Sequence, residues 1–302
     1  MTLTARQKAE RLTGVGASEV LAALGKDPRC TPLVLYQRKT GESTAPELEN
    51  DPRVHFGTLL EPVLRQEFAR RSHLRVIQRR NTLRHPTAPL VGHLDGWIPA
   101  RKCGLEIKTA DRYEADDFGE EDTDQVPLRY FFQCSAYMAI TGAAEWFLVV
   151  LIGGNDYRQY HLTRQPELED MMLTAVHRFW WHVEHASPPA PITPEDVRLR
   201  WPRDLGSAIL ATDMIIGTTA HLSQLRHDLQ TLQREYDEDL VSVQKFMAEN
   251  AELVGPEGRL LATWRTARAS RRLDINALTK DHPELAAQYM REIPGSRRFL
   301  LK

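Results

Sequence analysis

Cysteine is scarce in this chain: Cys30, Cys103 and Cys134 are its three cysteines in 302 residues. Odd in number, far apart and without a CxxC pair, they can build neither a disulfide framework nor a four-cysteine zinc or iron–sulfur site. They read as reduced core thiols of a cytosolic protein. No apolar run approaches the roughly 18 to 20 residues of a membrane helix; the longest spans Trp146 to Ile152. The opening segment, MTLTARQKAERL, is polar and charged and lacks the apolar stretch of a secretory signal. A charge excess is missing too. Lys and Arg number 39 against 41 Asp and Glu, a net charge of −2, which argues against a uniformly basic nucleic-acid coat. No GxxxxGK[ST], GxSxG or HExxH segment occurs, which weakens ATPase, serine hydrolase and metalloprotease readings.

What is present is an ordinary globular composition, 42% hydrophobic and 26% charged, with charge distributed unevenly. Residues 65–84 carry Arg65, Arg70, Arg71, Arg75, Arg79, Arg80 and Arg84 against the single acid Glu67. The stretch from Arg259 to Lys302 is also basic, whereas Asp111 to Asp124 is acidic apart from Arg112. Local basic patches bind phosphate even when the total is near zero. The arginines of 65–84 fit either a DNA-backbone track or a solvated helix face.

The pattern of elements is mixed α and β, without repeats. Helices are expected over 4–12, over Ala17 to Leu24 opened by Ser18, over Thr31 to Thr40 stopped by Gly41, and over Glu61 to Arg71. Short strands follow at Leu74 to Gln78, Val91 to Ile98 and Leu105 to Thr109, then a helix over Arg129 to Ile140. Trp146 to Ile152 and Tyr157 to Leu162 flank Gly153-Gly-Asn-Asp156, a hairpin signal. Pro166 opens an amphipathic helix, Glu167 to His185, with a stripe through Met171, Met172, Ala175, Phe179 and Val183. Its His177, His182 and His185 are spaced by five and three, which does not put all three on one face for zinc. After a proline-rich joint, Leu222, Leu225, Leu229, Leu232 and Tyr236 alternate steps of three and four, read as a helical hairpin within 207–250. A strand over Arg259 to Thr266 and a helix over Pro283 to Met290 close the chain. The expectation is a core over 1–200, an insertion over 201–256, and a strand and helix of 257–302 returning to the core.

Chemistry is concentrated in Val91-Gly-His-Leu-Asp-Gly-Trp97 and Leu105-Glu-Ile-Lys-Thr109. Side chains alternate along a strand, so Glu106 and Lys108 share a face. If the two strands are hairpin partners, the turn at 99–104 brings Asp95 beside Glu106. Two carboxylates and a lysine then meet at one sheet edge. Mg²⁺ takes oxygen ligands and keeps several waters, and such a site offsets charge on a phosphorane-like transition state. An exposed strand with Glu and Lys side by side is the plainer alternative.

These segments resemble the YqaJ-type viral recombinases, the lambda-exonuclease-like branch of the PD-(D/E)xK nucleases. The resemblance is carried in order by Arg11-Leu-Thr-Gly-Val-Gly-Ala-Ser-Glu-Val20, Thr31-Pro-Leu through Lys39-Thr-Gly-Glu42, Gly57-Thr-Leu-Leu-Glu-Pro62, Gly92-His-Leu-Asp-Gly96, Leu105-Glu-Ile-Lys108 and Gln133 to Tyr137. These blocks cover about residues 11–165, and Trp264 to Leu300 is similar to the closing part of some longer members. Leu94 stands where the family motif has proline, and 111–127 departs from the pattern.

The resemblance implies an α/β, restriction-endonuclease-like core, a mixed central sheet flanked by helices, with the helical hairpin inserted. It implies Asp95, Glu106, the Ile107 carbonyl and Glu61 as metal ligands and Lys108 as the catalytic lysine. Gln133 would position water or phosphate, and Arg11 with Ser18 would receive a DNA 5′-phosphate. Thr58-x-x-Glu61 also fits a helix capping box, Gln133 an ordinary helix surface, and Arg11 and Ser18 a surface arginine and an N-cap. Guanidinium grips phosphate bidentately, and a helix N-terminus at Ser18 would add donors. The implied function is Mg²⁺-dependent 5′-to-3′ exonuclease action on linear double-stranded DNA in phage-type recombination, by two-metal phosphodiester hydrolysis, with Mn²⁺ substituting. A single-strand annealing protein would be the partner and a trimer the oligomer, in a bacterial or phage-infected host cytoplasm. A structure-specific or restriction-type endonuclease, or a non-catalytic DNA-end or partner-binding protein, are the alternatives.

Overall fold

The computed structural model describes residues 9–43, 51–79, 81–292 and 295–301. Arg80 and residues 4–8 of the first expected helix lie outside these; residues 9–11 are helical. The chain divides into two compact units, Met1–Arg200 and Trp201–Lys302.

Two small sheets organise the first unit. Strands β1 (Val15–Gly16), β2 (Leu83–Arg84) and β3 (Leu90–Gly92) form a sheet in the order β1-β3-β2. Strands β4 (Gly96–Ile98), β5 (Cys103–Ala110), β6 (Glu145–Ile152) and β7 (Asp156–Thr163) form a second, mixed sheet in that order, with β5 and β6 parallel and the other pairs antiparallel. The expected strand Val91 to Ile98 is therefore two strands in two sheets, broken at His93-Leu94-Asp95. Glycines mark the break because there is no room for a side chain. A Cβ at Gly92 would lie 2.7 Å from the Tyr137 ring, and one at Gly96 2.7 Å from Val76. Leu74 to Gln78 forms no full strand and contributes one bridge, Ile77 to Trp97. The β6–β7 hairpin turns through Gly153 and Gly154, both at positive φ, a conformation glycine adopts without steric cost.

Helices cover both faces of the second sheet. A 3₁₀ turn, Ala17–Glu19, leads into α1 (Val20–Ala23). Ser18 does not cap it; the Glu19 carboxylate instead accepts the Gly16 N–H at 2.7 Å. Helix α2 (Pro32–Thr40) is capped by Thr31 and stops at Gly41, φ 77°. Helix α3 (Pro52–Ser72) starts nine residues earlier than the sequence pattern indicates, capped by Asp51, with Pro62 in its interior. Pro62 withdraws one N–H from the helix, while buried Leu64 and Phe68 anchor the next turns. The capping box at Thr58 and Glu61 is thereby replaced: both residues are mid-helix. Helix α4 (Leu128–Thr141) is buried along nearly its whole length and ends at Gly142. Tyr137 of α4 stacks on Trp146 (5.3 Å, 20°), whereas Phe68 of α3 meets Phe147 (5.3 Å). Because neighbouring strand residues face opposite ways, α4 and α3 lie on opposite faces of β6. Helix α5 (Pro166–Glu184) buries Met172, Val176 and Phe179, and Met171 is exposed; the true stripe is rotated from the expected one. Helix α6 (Pro194–Arg200) ends the unit.

The second unit holds α7 (Asp213–Met247), β8 (Glu252–Val254), β9 (Leu260–Thr263), α8 (Ile275–Asp281) and α9 (Pro283–Tyr289). The expected hairpin is a single helix of 35 residues, capped by Thr212. No proline or turn sequence interrupts 213–247, so nothing reverses the chain. Strand β9 pairs with β8 in a two-stranded sheet. Among the described residues no helix is long and apolar enough to cross a membrane.

Candidate active site

The break between β3 and β4 places the chemistry. Strand β4 pairs antiparallel with β5 up to Gly96 opposite Leu105, so Asp95 arrives beside Glu106. The Asp95 carboxylate accepts the Ile107 N–H at 2.9 Å. Lys108 lies on the Glu106 face of the strand, its Nζ 2.5 Å from Glu106 Oε1 and 5.5 Å from the centre of the Tyr130 ring. From α4, the Gln133 amide donates to Glu106 Oε1 at 2.6 Å and to the Tyr137 hydroxyl at 3.0 Å. Gln133 is buried, which overturns the helix-surface alternative. Asp95, Glu106, Lys108 and Gln133 thus line one cleft of ≈ 250 Å³ with Glu61.

Two carboxylates and one ammonium are crowded together here. Burial, then the neighbouring Glu106, push the Asp95 carboxyl well above the usual carboxylate range. Burial lowers the Lys108 ammonium, but Glu106 and Asp95 outweigh it and raise its pKa overall. Lys108 therefore stays protonated. Glu106 Oε2 is buried and has no hydrogen-bond partner among the described residues, a state that costs free energy unless an ion or water meets it. Asp95, Glu106 and the Ile107 carbonyl are the groups that would hold a metal, and oxygen donors of this kind suit Mg²⁺. Among the described residues no three His, Cys, Asp or Glu side chains are gathered tightly enough to grip an ion by themselves.

Glu61 reaches the cleft from the middle of α3, one turn from Arg65. Arg65 binds the Glu61 carboxylate through Nη2 and donates through Nε to the Asp95 carbonyl at 2.7 Å. This arginine belongs to the basic stretch read as a DNA track or a solvated face. It faces inward and does neither; its i,i+4 spacing from Glu61 was the available signal. Arg70 and Arg71 pair with Glu67 on the outer face of α3. Arg79 lies over the Trp97 ring at 4.1 Å and lines the cleft.

Arg11 and Ser18 line the same cleft. Parallel pairing of β1 with β3, Gly16 beside Val91, carries them to the end of β3 where the break begins. Arg11 Nη2 donates to Ser18 Oγ at 2.8 Å. His93, not singled out by the sequence pattern, also lines the cleft and contacts Thr82 Oγ1 at 2.8 Å. The helix histidines stand apart: His182 contacts the Ser187 carbonyl and His185 the Trp181 carbonyl. The acidic loop contributes nothing to the cleft lining; its Glu114 pairs with Arg129 at 2.6 Å.

Comparison with known proteins places this geometry in a family context. Residues 8–144 match the YqaJ-like viral recombinase domain. The chain is 32% identical over 174 residues to a protein of Bacillus subtilis (strain 168), the uncharacterized protein YqaJ; the match covers 57% of this chain and 53% of that protein. The chain thus spans about half the length of that relative. Its fold is similar to that of an alkaline exonuclease from Laribacter hongkongensis, with a TM-score of 0.50 and 21% identity over 61% of this chain and 94% of that one. A structure of that exonuclease in complex with dAMP matches with a TM-score of 0.48 and 22% identity, covering 65% and 97%.

Proposed function

We propose that the first unit is a PD-(D/E)xK-type core and that the protein is a metal-dependent deoxyribonuclease, a 5′-to-3′ exonuclease acting on linear double-stranded DNA in phage-type recombination. The observation that carries this reading is the meeting of Asp95, Glu106 and Lys108 at the break between β3 and β4, with a buried Glu106 oxygen that has no hydrogen-bond partner among the described residues. The match to a recombinase domain supports the context, and the fold is one that an exonuclease uses, which by itself is analogy.

Mg²⁺ held by Asp95, Glu106 and the Ile107 carbonyl would supply the Lewis acidity that activates water and offsets charge on the phosphodiester. The protein's own groups do the rest. Gln133 fixes Glu106 Oε1, leaving Oε2 for ligation. Lys108, held as an ammonium by the two carboxylates, acts as a positive charge that orients the attacking water and counters charge on the phosphate, not as a base. Arg11 and Ser18 would receive the 5′-phosphate and so set the register of the end. The 3′ strand left behind would pass to a single-strand annealing protein.

The test compares linear duplex with covalently closed circular duplex, with Mg²⁺ or chelator, beside Lys108→Ala. Linear DNA is expected to be digested only with Mg²⁺, the circle left intact, and the variant slowed by about 10²-fold or more. Cleavage of the circle would make the protein an endonuclease; binding to ends without hydrolysis would make it an end-binding protein.

A further inference from the structure

Behind Arg11 and Ser18 lies a buried ion pair that the hydrolytic chemistry does not use. The Lys39 side chain is 2% exposed, and its Nζ sits 2.5 Å from Glu19 Oε2. The same ammonium donates to the Arg11 carbonyl at 2.7 Å. Glu19 Oε2 also accepts the Gly16 N–H at 2.7 Å. The chain is therefore fixed at residues 11 and 16, on either side of the loop that turns the Arg11 guanidinium onto Ser18 Oγ.

Gly16 shows how crowded this corner is. A Cβ there would lie 2.9 Å from Glu19 Oε2 and 3.4 Å from Arg11 Nη2. A carboxylate and a guanidinium thus approach one point, and among the described residues' ion pairs Glu19 is matched with Lys39, not Arg11. Left alone, a partly buried carboxylate this close takes the guanidinium, because charge-assisted pairs are the strong ones. Here Glu19 Oε2 is taken by Lys39 instead, at 2.5 Å. Burying a lysine is costly unless it is paired, and burial pulls the Lys39 pKa down against the pull of Glu19. Such a residue needs a local reason, and neighbouring Arg11 supplies one.

We infer that Lys39 is a positioning residue of the end-phosphate pocket: it is the internal counter-ion of Glu19, and it leaves the Arg11 guanidinium free to take an anion. This rests on the proposed 5′-phosphate reading of Arg11 and Ser18. In that arrangement selectivity for a phosphorylated end depends on a pair that never touches DNA.

The experiment is binding of the full-length protein to labelled duplexes with 5′-phosphate or 5′-hydroxyl ends, in chelator, by fluorescence anisotropy, for wild type, Lys39→Met and Lys39→Met/Glu19→Gln. Wild type is expected to prefer the phosphate end by about tenfold. Lys39→Met should bring that ratio to about one, because the unpaired Glu19 captures Arg11. The double variant should regain a preference of about threefold or more, because the competing charge is gone. A merely structural role lowers affinity for both ends and leaves the ratio; that result, or a double variant no more selective than Lys39→Met, overturns the inference. If Lys39→Met does not fold, the double variant carries the test, and loss of its preference is the contrary result. A wild-type ratio of one would instead refute the end-phosphate reading itself.

Discussion

The Asp95 carboxylate and the Ile107 main-chain N–H are joined by a 2.9 Å hydrogen bond. The last β4–β5 pair is Gly96 with Leu105; just beyond it, a side chain takes the place of a strand partner. That substitution ends the hairpin, satisfies an N–H that burial would otherwise penalise, and turns a carboxylate toward Glu106. The same feature that terminates the small sheet therefore builds the site.

Asp95→Asn should uncouple stability from activity. The amide oxygen can still accept the Ile107 N–H, while the buried charge beside Glu106 disappears. The Asp95 pKa is raised in the folded protein, so the wild-type penalty is absent at low pH and grows as pH rises through that pKa. In chelator near neutral pH, the variant's melting temperature is expected to rise by about a few degrees, and nuclease activity to be lost.

Gly92→Ala should damage the site from beneath. Its new methyl would press on the Tyr137 ring, 2.7 Å away, and that ring is backed by Trp146. Tyr137 cannot retreat, so Gln133 and then Glu106 must shift. A loss of about 1–3 kcal/mol in urea unfolding is expected, with a fall in activity larger than the fraction unfolded explains.

Arg65→Met removes the clamp between α3 and the break. Glu61 would lose its arginine and the Asp95 carbonyl a donor, both in a largely buried setting. Urea unfolding should show destabilisation of about 3 kcal/mol, with Arg65→Lys restoring only part because its ammonium cannot make the forked contact.

The thiols should report burial. Only the thiolate reacts, and burial, then Glu145, push Cys103 up to about 12. Burial raises Cys134 well above its usual range as well, with Glu106 adding to it. Both should stay protonated at pH 8 and resist a disulfide reagent in the native state, leaving half-buried Cys30 to react slowly. Three thiols should react after denaturation.

The site was more legible in the sequence than the frame around it. Strand alternation alone places Glu106 with Lys108, and the intervening turn brings Asp95 to them, because both follow from local geometry. Gln133 was legible as a position but not as buried, since that depends on how α4 lies on the sheet. Pro62 and Gly57 made α3 look shorter than it is, because tertiary packing overrode local propensity. In α5 the phase differed because exposed Met171 sits next to buried Met172, and hydrophobicity alone cannot separate them. The even spacing of Leu222 to Tyr236 identifies a helix but does not show whether the chain folds back. Lys39 carried no signal beyond charge, and Arg65 only its i,i+4 spacing from Glu61; their roles come from contacts with residues far along the chain, Arg11 and Asp95.

The most direct test of the central claim is calorimetric titration of the protein with Mn²⁺, beside Glu106→Gln and Lys108→Met. Binding in wild type, its loss or weakening by about tenfold or more in Glu106→Gln, and its persistence in Lys108→Met would show that Glu106 holds the cation and that the lysine serves the phosphate. Equal binding by wild type and Glu106→Gln would contradict it.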